Sequence, residues 1–183
     1  MSWFRRTSAP RALPDPVLET ERLVLRPFTD ADAPFVLALL NEPSFLEFIG
    51  DRGVRTLDDA RAYLEEGPLD SYRTRGFGPY RVELRGVPVA MGLCGLLERH
   101  WLDDVDLGFA FLPRYWSRGY ALEAARAVMR HARDGLGLGR VLAVTTPDNQ
   151  ASIRLLGKLG FIFQGLVEAG GDGDTLHLFA SEP

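Results

Sequence analysis

The chain has 183 residues, enough for one domain with a sizeable core. Hydrophobic residues make up 46% and charged residues 25%, an ordinary globular balance, and a net charge of −4 argues against a nucleic-acid scaffold or a polybasic membrane binder. The single cysteine, Cys94, excludes an internal disulfide and a thiolate metal cluster, and His100, His131 and His177 lack metal-ligand spacing, so no metal is expected. No run approaches a membrane span, and no apolar stretch of signal-peptide length follows Met1–Arg6. A cytoplasmic chain with no nucleic-acid or membrane partner is the default expectation.

Residues 1–17 contain Pro10, Pro14 and Pro16 without periodicity and read as a flexible N-terminal arm ahead of a single domain over 18–183. Arg22–Arg26 alternates as a first strand, ended by Pro27. Asp30 is placed to cap a helix running to Leu40, and Thr56 a helix over Leu57–Glu66. The period then changes. Tyr80–Leu84, Val89–Leu97 and Val105–Leu112 read as an antiparallel meander, with the turn Arg85–Pro88 between the first two. After Gly119 the pattern is helical, with Ala121, Ala125, Val128 and Ala132 on one stripe and Gly135 and Gly137 at the end. A strand at Arg140–Thr145, a helix at Asn149–Leu159 and a hairpin of Phe161–Val167 with Thr175–Phe179 complete the order β-α-α-β-β-β-α-β-α-β-β. This is an α+β chain.

The most informative stretch runs from Asp106 to Ala124, where a strand enters a turn and a long helix begins just after Gly119. Backbone N–H groups at a helix start lack internal partners and sit at the positive end of the helix dipole, which suits a phosphate. Gly119 admits a ligand close to the backbone, Ala121 keeps the first turn uncrowded, and Arg118 is placed to add a charge-assisted contact. Taken alone, the same residues also fit an ordinary strand-to-helix connection.

Further along, Val141–Thr145 leads through Thr146-Pro-Asp148 into Asn149-Gln-Ala-Ser152 and Lys158-Leu-Gly-Phe161. In this order the segments resemble the GNAT superfamily of N-acetyltransferases, in particular the branch that includes the ribosomal-protein alanine and serine N-acetyltransferases. The opening Glu19-Thr-Glu-Arg-Leu-Val-Leu-Arg-Pro27 matches the same branch, and the resemblance covers about residues 18–180. The branch's pyrophosphate loop would be Trp116, Ser117, Arg118, Gly119, Tyr120 and Ala121, with Ser117 standing where a first glycine is usual.

The resemblance implies the GNAT (acyl-CoA N-acyltransferase) fold, a mixed, mostly antiparallel sheet whose parallel fourth and fifth strands splay apart. It implies acetyl-CoA as co-substrate, its pantetheine arm pairing with the fourth-strand edge at Leu107, Phe109 and Phe111. Gly108 is expected to mark a bulge opening the gap, and Asn149 to hold the cofactor, to cap its helix, or both. The reaction implied is direct attack of an amine on the thioester, the acceptor being a protein N-terminal α-amine or a small amine.

The family's common tyrosine acid falls at Leu156, so it is absent. Ser152 is the nearest hydroxyl for the leaving thiolate, and Asp106 the candidate base on the fourth strand, against the plainer readings of a small first-turn residue and an exposed acid. Cys94, in an apolar strand, reads as buried filler. His100 reads as a loop residue that could face the acceptor, and Tyr115, Trp116 and Trp101 as core packing ahead of pocket wall. By the resemblance, Phe45–Arg55 and Glu168–Asp174 shape the acceptor site. Their acids Glu47, Asp51, Glu168, Asp172 and Asp174 fit a cationic amine as well as ordinary solubility. A non-catalytic acyl-CoA-binding module is the competing reading, and a homodimer is left open.

Overall fold

The computed structural model describes residues 17–170 and 173–182. The expected N-terminal arm lies outside these residues except for Val17, as does Asp172. An eight-stranded sheet has the spatial order β1-β2-β3-β4-β5-β6-β8-β7. Its strands are β1 (Leu18–Glu19), β2 (Leu23–Arg26), β3 (Pro79–Leu84), β4 (Val87–Leu97), β5 (Asp106–Phe111), β6 (Leu142–Thr145), β7 (Ile162–Glu168) and β8 (Thr175–Ala180). The expected fourth and fifth strands are thus β5 and β6, the one parallel pair among antiparallel neighbours.

Helices α1 (Ala33–Leu40), α2 (Pro43–Phe48), α3 (Leu57–Leu64) and α4 (Asp70–Arg75) precede β3, while α5 (Tyr120–Asp134) and α6 (Gln150–Lys158) follow β5 and β6. Two helices were expected before the meander and four are present. Pro43 starts α2 and buries Phe45. A π-helical turn over Glu65–Leu69 joins α3 to α4. There the Tyr72 hydroxyl accepts from Phe28 N at 3.2 Å and donates to the Pro79 carbonyl, so a tertiary contact holds a helix too short to persist alone.

Thr56 caps α3 as expected, accepting from Asp59 N at 3.1 Å while the Asp59 carboxylate takes Thr56 N at 2.8 Å. At α1 the expectation fails. Thr29 is the cap residue, ahead of a 3-10 turn over Asp30–Asp32, and Asp30 is exposed. Asp32 is the acid that matters, because it is buried against Arg26 at 2.9 Å and against Arg81. Glu83 closes this network with Arg26 at 3.0 Å and Arg81 at 2.7 Å. Two arginines and two acids leave no net charge there, which is what burial of such groups requires.

Two apolar layers cover the sheet. One joins Ala124, Ala125, Val128 and Ala132 of α5 and Leu156 of α6 to Leu23, Tyr80, Met91, Cys94, Leu107 and Phe111. Alanine at three of these positions lets α5 lie close to the strands. The second layer packs Ala33, Val36, Leu40, Ala60 and Leu64 of α1 and α3 on Ala110 and Leu112.

Candidate active site

β5 and β6 share a single register pair, Asp106 with Leu142, closed by Leu142 N donating to the Val105 carbonyl at 2.9 Å. Beyond it the two strands part. Leu112 N donates to the Met91 carbonyl of β4 at 2.9 Å, and the alternation of an antiparallel ladder then turns the polar groups of Ala110 and Gly108 toward β4. Those of Leu107, Phe109 and Phe111 face the gap. The Phe111 carbonyl is taken by the Trp116 indole N–H at 2.7 Å, and the parallel pair uses the Leu107 N–H, which leaves the edge from the Leu107 carbonyl through Phe109 open to a partner of amide-like chemistry.

Gly108 does not form the expected bulge. It sits in regular register opposite Gly95, and a Cβ there would overlap the Leu97 side chain. The register shifts instead lie between β3 and β4, from Val82 to Leu84, and between β7 and β8, from Phe163 to Gly165. The gap comes from divergence of β6, not from a kink in β5.

The open edge leads to the loop before α5. A 3-10 turn over Pro113–Tyr115 brings the chain to Trp116, Ser117 at φ 59° and Gly119 at φ 80°. Ser117 is the only non-glycine at positive φ among the described residues, at the position where the resemblance led a glycine to be expected. Gly119 is the cap residue of α5, and Tyr120 and Ala121 form its first turn. Trp116 is 45% exposed, so its expected place in the core is corrected, and Arg118 is exposed as well.

Arg22, on the turn between β1 and β2, holds this loop from outside. Its Nη1 donates to the Arg118 carbonyl at 3.1 Å, its guanidinium lies 4.6 Å from the Tyr120 ring centre, and its Nη2 meets the Glu123 carboxylate at 2.6 Å. Thr20 Oγ1 and Arg22 N also donate to Glu123, at 2.6 and 3.0 Å. Burial disfavours the Glu123 charge, but these donors outweigh it and hold the carboxyl below its ordinary range.

On the β6 side, Asn149 Oδ1 accepts from Ser152 N at 3.0 Å and caps α6, which leaves its Nδ2 without a partner among the described residues. Thr146 Oγ1, just past β6, is buried with no hydrogen-bond partner. Sequence reasoning missed this group and Arg22. An orphaned hydroxyl, an open strand edge and a helix N-terminus fit a ligand with amide and pyrophosphate groups.

An acetyltransferase (GNAT) domain model matches residues 22–162. The chain belongs to the GNAT acetyltransferase family. An uncharacterized N-acetyltransferase of Bacillus subtilis, YoaA, is 30% identical over 154 residues, covering 83% of this chain and 86% of that protein. The fold of this GNAT domain matches an acetyltransferase from Agrobacterium tumefaciens with TM-score 0.79 at 22% identity, covering 96% and 99% of the two chains. It also matches the ribosomal L7/L12 α-N-protein acetyltransferase RimL in complex with coenzyme A, with TM-score 0.76 at 17% identity over 92% and 98%. The chain is accordingly an acetyl-CoA-dependent N-acetyltransferase.

The candidate catalytic groups of this GNAT domain sit on different elements. Ser152 is in the first turn of α6, half-buried, and its hydroxyl has no partner among the described residues. Leu156 is buried under the sheet and offers no acid. Asp106 lies at the point where β5 and β6 part, not exposed as the plainer reading had it but 1% accessible. Burial pushes its carboxyl above the ordinary range, against the pull of Arg99, whose Nε donates to both of its oxygens at 3.0 Å.

Cys94 is fully buried and burial pushes its thiol up, so it holds no thiolate. His100 and Trp101 lie against Gly170 of the β7–β8 connection. Across β5, burial raises the Tyr63 hydroxyl of α3 while the charges of Arg52 and Arg99 pull it back. Asp51 is paired with Arg55 and accepts from Gly53 N at 2.8 Å, so its charge is already spent. Among the described residues no three His, Cys, Asp or Glu side chains group to hold a metal, and no helix is long and apolar enough to cross a membrane.

Proposed function

We propose that this GNAT domain acetylates a primary amine by direct attack on acetyl-CoA, without an acyl-enzyme. The observation that carries the reading is the open β5 edge from the Leu107 carbonyl through Phe109, running to the N-terminus of α5. In this reading the pantetheine amides pair with that edge, Asn149 Nδ2 and Thr146 Oγ1 add side-chain contacts, and residues 116–121 take the pyrophosphate. The amine nitrogen bonds to the carbonyl carbon, the C–S bond breaks, the amine gives up a proton and the thiolate gains one. Ser152 donates to the thiolate. Asp106, whose raised pKa brings it nearer neutrality, accepts the amine proton. Holding amine and thioester together supplies much of the remaining rate.

One observation favours a second assignment for Asp106. Both of its oxygens already accept from Arg99, which is the arrangement of an anchor; solvent then takes the proton and positioning dominates. The acceptor belongs to the class of α-amines at protein N-termini or small amines. An acceptor panel with acetyl-CoA, read by release of free thiol, tests the function. Amine-dependent release is expected, and tight acetyl-CoA binding without it would instead leave a non-catalytic acyl-CoA binder.

A further inference from the structure

The connection from β4 to β5, residues 98–105, touches the far side of the gap at three points. The Val105 carbonyl accepts from Leu142 N at 2.9 Å, and Asp104 pairs with Arg140, just before β6, at 3.2 Å. At the third point Trp101 and His100 lie against Gly170 of the β7–β8 connection. A Cβ on Gly170 would stand 2.5 Å from Trp101 Cδ1 and 3.0 Å from His100 Nε2. Gly170 is not among the glycines at positive φ, so the position needs the missing side chain and not a left-handed backbone. Ala169 N donates to the Asp174 carbonyl at 2.9 Å and closes this connection beside Gly170.

The same indole carries Arg99. The Arg99 guanidinium lies 5.5 Å from the Trp101 ring centre, while its Nε donates to both Asp106 oxygens at 3.0 Å. Leu102 N donates to the Arg99 carbonyl at 3.0 Å, so Arg99 and Trp101 spring from one tight turn. The Arg99 side chain is 27% exposed and makes no other hydrogen bond or ion pair among the described residues. A long side chain held only at Nε keeps much of its rotamer freedom, and the cation–π contact with the indole is the second restraint. Asp103, Glu168 and Asp174, the exposed acids at the two connections, share one sign, so packing and not charge holds the connections together. The contacts therefore run from Gly170 to Trp101, from Trp101 to Arg99 and from Arg99 to Asp106, crossing from the β7–β8 side to the start of β5.

We infer that Trp101, seated on Gly170, is a positioning residue that fixes Arg99 and through it the Asp106 carboxylate, so that the β7–β8 connection sets where that carboxylate stands. The inference rests on the acetyltransferase reading with Asp106 beside the reacting amine, and it deepens that reading.

Steady-state kinetics of acetyl transfer, with thermal melts to check folding, test the chain of contacts. Gly170→Ala displaces the indole without touching the open β5 edge or the loop at 116–121, so kcat should fall at least about fivefold with KM for acetyl-CoA within about twofold. Trp101→Phe keeps an aromatic face for the guanidinium and should hold kcat within about twofold, while Trp101→Leu removes that face and should lose at least about fivefold. In the Trp101→Phe background the smaller ring leaves room for a methyl group, so Gly170→Ala should cost less than about twofold. Should Gly170→Ala fail to fold, Trp101→Leu set against Trp101→Phe makes the same test. Unchanged kcat in the folded variants, an equal loss of acetyl-CoA affinity, or losses that simply multiply in the double variant overturn the positioning role and leave the transferase intact. Wild-type turnover in Asp106→Asn overturns it too, since no carboxylate then needs placing. No amine-dependent thiol release from the wild-type enzyme overturns both readings.

Discussion

Arg22 and Glu123 stand 101 residues apart in sequence and meet through two guanidinium nitrogens, Nε at 2.7 Å and Nη2 at 2.6 Å. The pair fastens the β1–β2 turn to the first turn of α5 and, through the Arg118 carbonyl, to the loop that would receive a pyrophosphate. Arg22→Ala is expected to raise KM for acetyl-CoA by roughly fivefold to tenfold while leaving kcat within about twofold, since it loosens ground-state binding only. Steady-state kinetics at saturating acceptor measures this. A fall in kcat with unchanged KM would place Arg22 elsewhere in the cycle.

The same loop makes opposite predictions for two neighbouring positions. Gly119 sits at φ 80° with Arg22 Nη2 3.3 Å from where a Cβ would lie, so Gly119→Trp should weaken acetyl-CoA binding by at least about tenfold. Ser117 holds a left-handed conformation at a cost of roughly 1 kcal/mol, so Ser117→Gly should stabilise the protein and spare binding. Calorimetric titration with acetyl-CoA and thermal melts of the two variants read these effects separately.

Ser152→Ala and Asp106→Asn should each lower turnover by roughly tenfold or more with acetyl-CoA affinity nearly intact, if they act as thiolate donor and base. Because burial raises Asp106, the acidic limb of the pH–rate profile should lie above the ordinary carboxylate range. Arg99 is the group that pulls this carboxyl down, so Arg99→Gln should move the limb further up. Wild-type turnover in both Ser152→Ala and Asp106→Asn would leave positioning and solvent as the whole mechanism.

Cys94→Ala should keep most of the turnover, and thiol reagents should leave the native enzyme active. The side chain is fully buried, and direct attack needs no protein nucleophile. A hundredfold loss in a folded Cys94→Ala enzyme would reopen a covalent route.

The buried network gives a prediction about stability. Burial works against the Asp32 charge, yet hydrogen bonds and charges from Arg26, Thr29 and Arg81 hold its carboxyl below the ordinary range. A depressed folded pKa contributes stability above the unfolded value, and that contribution is lost as pH falls through the folded one. Denaturation at graded pH should therefore show stability falling below roughly pH 4. Asp32→Asn should cost about 3–5 kcal/mol at neutral pH and flatten that acid dependence.

The scaffold of the candidate site is partly legible in the sequence. The strand–turn–helix at Asp106–Ala124 and the Asn149–Ser152 segment carry short-range signals, namely glycine at a helix start, a capping side chain and a change of period. The N–H and C=O groups of Leu107, Phe109 and Phe111 point toward the gap side of β5 because hydrogen-bonding direction alternates along a strand, which position in the sequence can express. The missed groups depend on approach between distant segments. Nothing near Arg22 announces Glu123, and nothing near Asp106 announces that Arg99 turns back to cover it. Helix α4 was missed for the same reason, since Tyr72 is held by Phe28 and Pro79. The plainer reading of Asp106, an exposed acid at a strand start, fails because the paired Arg99 makes its burial tolerable.

The lone register pair between Asp106 and Leu142 has a mechanical consequence. The sheet is two half-sheets, β1–β5 and β6–β8, stitched together at one end of their common seam. An extended ligand lying in that seam would act as a ninth strand and lock the halves together. Amide hydrogen exchange should register this directly, with slowed exchange along β5 and β6 when acetyl-CoA is added and little change in β2 and β3.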